Sequence, residues 1–231
     1  MSRYKTLFSF YGSKSKIAHR YPDPEFPLII EPFAWSASYS LRHAVGRQVF
    51  LNDLNSDVHR LWRWLINTPT QEVLRRIPRD VKKGDRFEGN EPWDLFLRAN
   101  ANMGTFGTQT ASQVTHFAAV NWHQVANRIR ELHHRVGGWH LTNQSYADLD
   151  NVEATWFVDP PYDNPAGAKY TNSDIDYDHL ADWCRSRRGQ VIVCENAGAE
   201  WLPFRPLCLP HTRGGVARNP EVVWTNGQGT D

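Results

Sequence analysis

Cysteine is scarce in this chain. Only Cys184, Cys194 and Cys208 occur among 231 residues, and no C-x-x-C pair exists. An odd, dispersed set excludes a disulfide framework and suits reduced thiols in a cytoplasmic setting. Compact metal-ligand spacing is missing as well. The ten histidines form no H-E-x-x-H element, and the adjacent His133 and His134 on one helix project apart, so no metal site is expected. Long apolar runs are lacking, which argues against a membrane-spanning helix and a membrane partner. Met1-Ser2-Arg3-Tyr4-Lys5 leads into only a short apolar patch, so no signal peptide is expected. Neither sign of charge dominates, with 26 Lys and Arg against 25 Asp and Glu. A polyanionic partner must therefore be met by local clusters. Finally, no glycine occurs from Glu31 to Val45, although an apolar run before it and helical spacing after it mark a sharp strand-to-helix turn. Such turns usually carry glycine, which tolerates positive φ and lets a ligand approach the backbone. Trp35 stands there instead.

Aromatic side chains, in contrast, are plentiful: 10 Trp, 11 Phe and 8 Tyr. They serve a core or a stacking surface, and composition alone does not separate the two. Strand patterns recur at Leu28–Glu31, Gln48–Asn52, Trp139–Thr142, Thr155–Asp159, Gln190–Glu195 and Glu221–Thr225. Helical periodicity falls between them at Asp57–Ile66, Asn121–Val136 and Asp176–Arg187. Strands alternating with helices predict a doubly wound α/β sheet with helices on both faces.

Residues 69–138 break this rhythm. The interval is too long for one crossover and carries no clear strand pattern. It opens with the basic run RRIPRDVKKGDR, continues through the polar NANMGTFGTQTASQ, and closes on a helix bearing Arg128. We read it as an inserted, mostly helical lobe, dividing the chain into 1–68 with 139–231 and the insertion 69–138. A solvated helix face and a polar loop account for these segments equally well. Taken together they suit DNA reading, because Lys and Arg hold phosphates while Asn and Gln amides read adenine edges. The candidates are Arg75, Arg76, Lys82, Lys83, Asn100, Asn102, Gln109, Gln113 and Arg128, with Lys169 farther on.

The most informative segment is TWFVDPPYDNP. Trp156, Phe157 and Val158 form a buried strand, and Asp159-Pro160-Pro161-Tyr162 stands at its carboxyl end, where open α/β sheets bind ligands. Two prolines fix the backbone and remove two N–H donors, leaving carbonyl acceptors beside a carboxylate and a flat ring. That set suits an exocyclic amine on a planar base, and such a base must leave the duplex to reach it. A stiff proline turn is the plainer alternative.

At this point the chain resembles a family. Asp-Pro-Pro-Tyr is similar to the catalytic motif of DNA adenine N6-methyltransferases, and its surroundings look like the Dam type, in particular phage and prophage members. FYGSK (10–14) resembles the N-terminal aromatic-x-G-G-K element, and EPFA (31–34) with the turn after it resembles the cofactor loop. NDLNSD (52–57), the stretch 173–204 and the closing EVVWTN resemble the later elements in Dam-type order. The resemblance implies a Rossmann-like class I methyltransferase sheet with an inserted helical target-recognition lobe. It implies S-adenosyl-L-methionine as cofactor and double-stranded DNA as partner. The implied protein is a monomer that serves restriction–modification beside a restriction endonuclease, phage self-protection or regulation. Residue by residue, it assigns Asp159 and the Pro160 carbonyl to the target amine, Pro161 to the turn and Tyr162 to the base face. Phe10, Tyr11, Lys14, Phe33, Ala34, Trp35, Ser145 and Asp159 border the cofactor, and Asp53 takes its ribose hydroxyls. For Asp53 a helix N-cap is the structural alternative, and for Lys14 a surface lysine.

Three departures cluster on the cofactor side. The F-x-G-x-G loop of the family reads Phe33-Ala34-Trp35-Ser36-Ala37, Ser13 replaces a glycine, and Ser145-Tyr146 stands where an acid is common. Two outcomes follow. Either the small residues still admit the cofactor beside Trp35, or Trp35 fills the pocket and the protein is a catalytically silent or cofactor-altered DNA-binding relative. Methylation of RNA or of a protein amide nitrogen shares the Asp-Pro-Pro-Tyr chemistry but not the inserted lobe.

Overall fold

A computed structural model describes residues 6–10, 12–78, 86–87, 89–101, 112–113, 121–163, 174–207 and 220–227. The six expected strands are present as β1 (Leu28–Glu31), β2 (Gln48–Asn52), β5 (His140–Thr142), β6 (Ala154–Val158), β7 (Gly189–Asn196) and β9 (Glu221–Thr225), and three two-residue strands join them: β3 (Arg86–Phe87), β4 (Ser112–Gln113) and β8 (Arg205–Pro206). Seven of them form one mixed sheet in the order β5-β2-β1-β6-β7-β9-β8. The first five run parallel, while β9 lies antiparallel to both of its neighbours. β3 and β4 make a separate antiparallel pair within 69–138, where no strand is expected from the sequence.

The helices are α1 (Ser38–His43), α2 (Ser56–Asn67), α3 (Thr70–Arg76), α4 (Pro92–Ala101), α5 (Trp122–Leu132) and α6 (Tyr177–Ser186). Three of the long ones start where the sequence supplies a cap. Asn55 accepts from the Asp57 and Val58 amides, Asn121 from that of Gln124, and Asp176 from that of His179. The alternation of β-strand side chains sorts the apolar residues onto the two faces of the sheet. Ile30, Trp156, Val158, Val191 and Val193 join Leu180, Trp183 and Cys184 of α6 on one face. Val49 and Leu51 join Leu41 of α1 and Leu61, Trp62 and Leu65 of α2 on the other. Helices therefore cover both faces. Gly189 shows why glycine opens β7: at φ 94°, a Cβ there would lie 2.3 Å from the Ala154 carbonyl oxygen.

The helices of 69–138 are continuous with this core. Val73 of α3, Leu95 and Phe96 of α4, and Val125, Ile129 and Leu132 of α5 belong to the same cluster as α2 and β2. His133 is buried, with Nδ1 at 2.9 Å from Thr70 Oγ1 and Nε2 at 2.8 Å from the Leu65 carbonyl, which gives it a structural role. Among the described residues, no helix is long and apolar enough to cross a membrane.

Candidate active site

The strand order reverses between β1 and β6, where chain connections lead away in opposite directions. In open α/β sheets such a switch point leaves a crevice outside the carboxyl ends of the strands. Glu31 ends β1 and Asp159 follows β6 at this crevice.

The loop after β1 has an unusual backbone. Trp35 has φ 40° and Ala37 has φ 44°, the two positive-φ positions outside glycine among the described residues. These are the two positions at which the resemblance expects glycine. The turn keeps a left-handed shape without the residue that adopts it freely, at about 1–2 kcal/mol for each. Neighbouring contacts hold it. Trp35 N–H donates to Asp53 Oδ2 (3.1 Å), Trp62 Nε1–H to the Trp35 carbonyl (2.8 Å), and Trp35 Nε1–H to the Asp159 carbonyl (2.8 Å). The Trp35 ring packs on Phe10 with centroids 5.1 Å apart. Ser36 Oγ lies 2.9 Å from Ser13 Oγ, and Ser38 Oγ lies 3.0 Å from both. Ser13, a position at which the resemblance expects glycine, therefore lies against Ser36 and Ser38. Glu31 braces the turn from beneath by accepting the Ser40 amide at 2.7 Å, and burial pushes its carboxyl up to about 8.

Asp53 follows β2. Its carboxylate accepts the Trp35 and Asn55 amides, while Asn55 caps α2, so Asp53 is not the helix cap. Burial raises its pKa to about 7, against the opposing pull of those backbone amides. A pocket of about 120 Å³ opens here, and Phe33, Trp35, Asp53, Ser145, Tyr146 and Pro161 contribute to its wall. The Phe33 and Tyr146 rings lie 5.4 Å apart. Ser145 caps the short helix Tyr146–Asp148 by accepting the Ala147 amide. Ala34 is instead a core residue, 1% exposed, and its amide donates to the Asn52 carbonyl.

On the other side of Trp35 lies Asp159, 9% exposed. Lys14 Nζ donates to Asp159 Oδ1 at 2.6 Å, sits 3.6 Å from Glu221 Oε1 and stands over the Tyr162 ring, 4.6 Å from its centroid. Lys14 is thus a buried partner of Asp159 and not a surface lysine or a wall of the pocket. Burial works against the Lys14 charge, but attraction to Asp159 and Glu221 prevails and its pKa is raised. Burial raises Asp159 to about 6, a shift that Lys14 limits. Three successive carbonyls follow β6. Asp159's accepts from Trp35, Pro161's accepts from the Tyr177 hydroxyl at 2.8 Å, and no donor among the described residues bonds that of Pro160. Glu195, at the end of β7, fixes the far side of the loop by accepting the Asp163 amide and the Trp201 indole N–H.

The structure also brings in residues not expected from the sequence. Glu221, the first residue of β9, accepts from the hydroxyls of Tyr162 and, at 2.7 Å, Tyr21. Because β9 is antiparallel, its first residue reaches the carboxyl edge of the parallel strands. Glu195 and Tyr177 likewise carry no local motif that marks them.

Five of the DNA-reading candidates lie among the described residues. Arg75 and Arg76 on α3 are exposed and pair with Glu72 at 3.1 and 3.4 Å, and Arg76 also covers the Trp93 ring. Arg128 is half-buried on α5, and Gln113 lies in β4. Asn100 is not presented outward. It is 6% exposed, donates to the Phe96 carbonyl and accepts the Ser9 amide, so its amide is used within the fold. Tyr11, Lys82, Lys83, Asn102, Gln109 and Lys169 lie outside the described residues. Compared with protein-family models and with curated proteins, the chain matches none.

Proposed function

We propose that this chain is an S-adenosylmethionine-dependent DNA adenine N6-methyltransferase of the Dam type. Its sheet is read as a Rossmann-like class I methyltransferase sheet, and 69–138 as the target-recognition region. The observation that carries the proposal is the pair of acceptors at the switch point: the Asp159 carboxylate and the adjacent Pro160 carbonyl, whose two neighbouring carbonyls are both engaged. An exocyclic amine has two N–H groups and matches that pair. Lys14 supports the same chemistry, since a nitrogen donor already rests on Asp159 and over the Tyr162 ring.

The residues around the pocket fit the nucleoside portion of the cofactor. Asp53 retains lone pairs for ribose hydroxyls, and Phe33 and Tyr146 offer rings to its base. S-adenosylmethionine, when bound, supplies an electrophilic methyl group on a sulfonium. Asp159, whose pKa burial raises and Lys14 holds down, accepts one N–H of the target amine in its ionised form. The Pro160 carbonyl accepts the other. Together they favour a pyramidal nitrogen with its lone pair directed away from the ring. Transfer forms the N6–carbon bond and breaks the sulfur–carbon bond, and the nitrogen sheds one proton, for which the Asp159 carboxylate is the nearest base. Tyr162 stacks on the adenine, so positioning and fixed dipoles supply most of the acceleration.

One observation favours the catalytically silent or cofactor-altered alternative. The pocket of about 120 Å³ is below the roughly 300–1,000 Å³ of typical small-molecule sites, and Trp35 takes space that a glycine leaves open. Calorimetry with S-adenosylmethionine and methyl incorporation into unmethylated DNA test the proposal together. Saturable heat and incorporation that Asp159→Ala abolishes support the enzyme. DNA binding without either supports the silent relative.

A further inference from the structure

We infer that Glu221 is a positioning residue for the target amine, resting on the adenine reading above: it fixes the Tyr162 ring and takes over the Lys14 ammonium when the amine reaches Asp159. In the protein as it stands, that ammonium lies where the amine must go, 2.6 Å from Asp159 Oδ1 and 4.6 Å from the Tyr162 centroid. A base stacked on that face, with its amine on the carboxylate, cannot share the position. The ammonium is buried and cannot be left without a counter-charge. Glu221 Oε1 is already 3.6 Å away, so a small shift exchanges one carboxylate for the other. Glu221 also accepts the Tyr162 hydroxyl, which holds the ring through the exchange, and the Tyr21 hydroxyl, which holds Glu221 itself. Among the described residues, the groups facing Glu221 are Lys14 and Tyr21 from the N-terminal segment, Asp159 and Tyr162 from the loop after β6, and the thiol of Cys194 on β7.

Glu221→Gln keeps an acceptor for the two hydroxyls and removes the charge. On unmethylated bulk DNA, it is expected to lower kcat on the order of tenfold with KM for DNA changed by less than about twofold. In a Lys14→Met background, the same change is expected to cost less than about twofold, because no ammonium needs a resting place. An equal loss in both backgrounds overturns the inference. A second measurement needs neither DNA nor activity. The Asp159 carboxyl carbon, followed by NMR, is expected to titrate at lower pH in folded Glu221→Gln, since Lys14 then rests wholly on Asp159 and a repelling charge is gone. An unchanged titration shows that the ammonium is not shared and overturns the inference. Absence of methyl transfer by the wild type overturns the adenine reading instead, and the titration still decides the sharing.

Discussion

Ala37→Gly tests the loop on which the cofactor argument depends. Ala37 is 1% exposed with φ 44°, so the change removes a strained backbone and a buried methyl together. Relief of the left-handed conformation is worth about 1–2 kcal/mol. Against it stand the lost methyl, about 0.8 kcal/mol, and the greater freedom of unfolded glycine, about 0.5–1 kcal/mol. These effects nearly cancel, and the variant is expected within about 1 kcal/mol of the wild type. Ala181 provides the control. It is equally buried, 2% exposed, and lies inside α6, where no strain is available for relief. Ala181→Gly is expected to cost about 1.3–1.8 kcal/mol from the same methyl and entropy contributions. For a chain of this size about 1 kcal/mol moves Tm by roughly 2–4 °C, so thermal unfolding separates the two variants. An Ala37→Gly loss as large as that of Ala181→Gly refutes the left-handed turn.

Three further expectations follow from the same geometry. Trp35→Gly with Ala37→Gly discriminates a working pocket from a blocked one by calorimetry. A working pocket loses cofactor affinity with the aromatic wall, by on the order of 0.5–1.5 kcal/mol beyond area burial, whereas a blocked pocket gains binding that the wild type lacks. Neutralising Arg75, Arg76, Lys82 and Lys83 together is expected to weaken binding to all DNA sequences. The slope of log affinity against log salt is expected to fall by about one for each phosphate that no longer meets a cation; an unchanged slope makes the run a solvated face. The rate of methyl transfer is expected to rise with pH through about 6, the region in which Asp159 ionises. A profile that falls across that range contradicts the role of Asp159 as acceptor.

Much of the sheet was legible because its strands are apolar runs bounded by turn residues. Leu28–Glu31, Gln48–Asn52 and Glu221–Thr225 match the expected ranges, and β6 and β7 differ by one residue at each boundary. The helix Asn121–Val136 shortens because Asn121 is its cap and the chain tightens to a 3-10 turn at His133. The position of Asp159-Pro160-Pro161-Tyr162 at the carboxyl end of a buried strand was legible because the apolar run before it is local. The left-handed turn was not, since tryptophan and alanine disfavour the shape that their neighbours impose. Glu221 and Tyr21 escaped for a different reason. Glu221 reaches Tyr162 from β9, 59 residues away by numbering, and Tyr21 reaches Glu221 from the N-terminal segment, 200 residues away, and no short motif records such a meeting. The edge strand β8, of two residues, is too short for a periodic signal. Nor does polarity reveal burial: Asn100 belongs to a polar stretch, yet its amide serves α4 and Ser9.

The central claim is methyl transfer to adenine N6 at Asp159. Single-molecule sequencing of DNA from cells lacking other adenine methylation, expressing either the wild type or Asp159→Ala, tests it most directly. The account predicts N6-methyladenine at one recurring sequence with the wild type and none with the variant. Unmodified adenine with the wild type, or the same modification with both proteins, contradicts it.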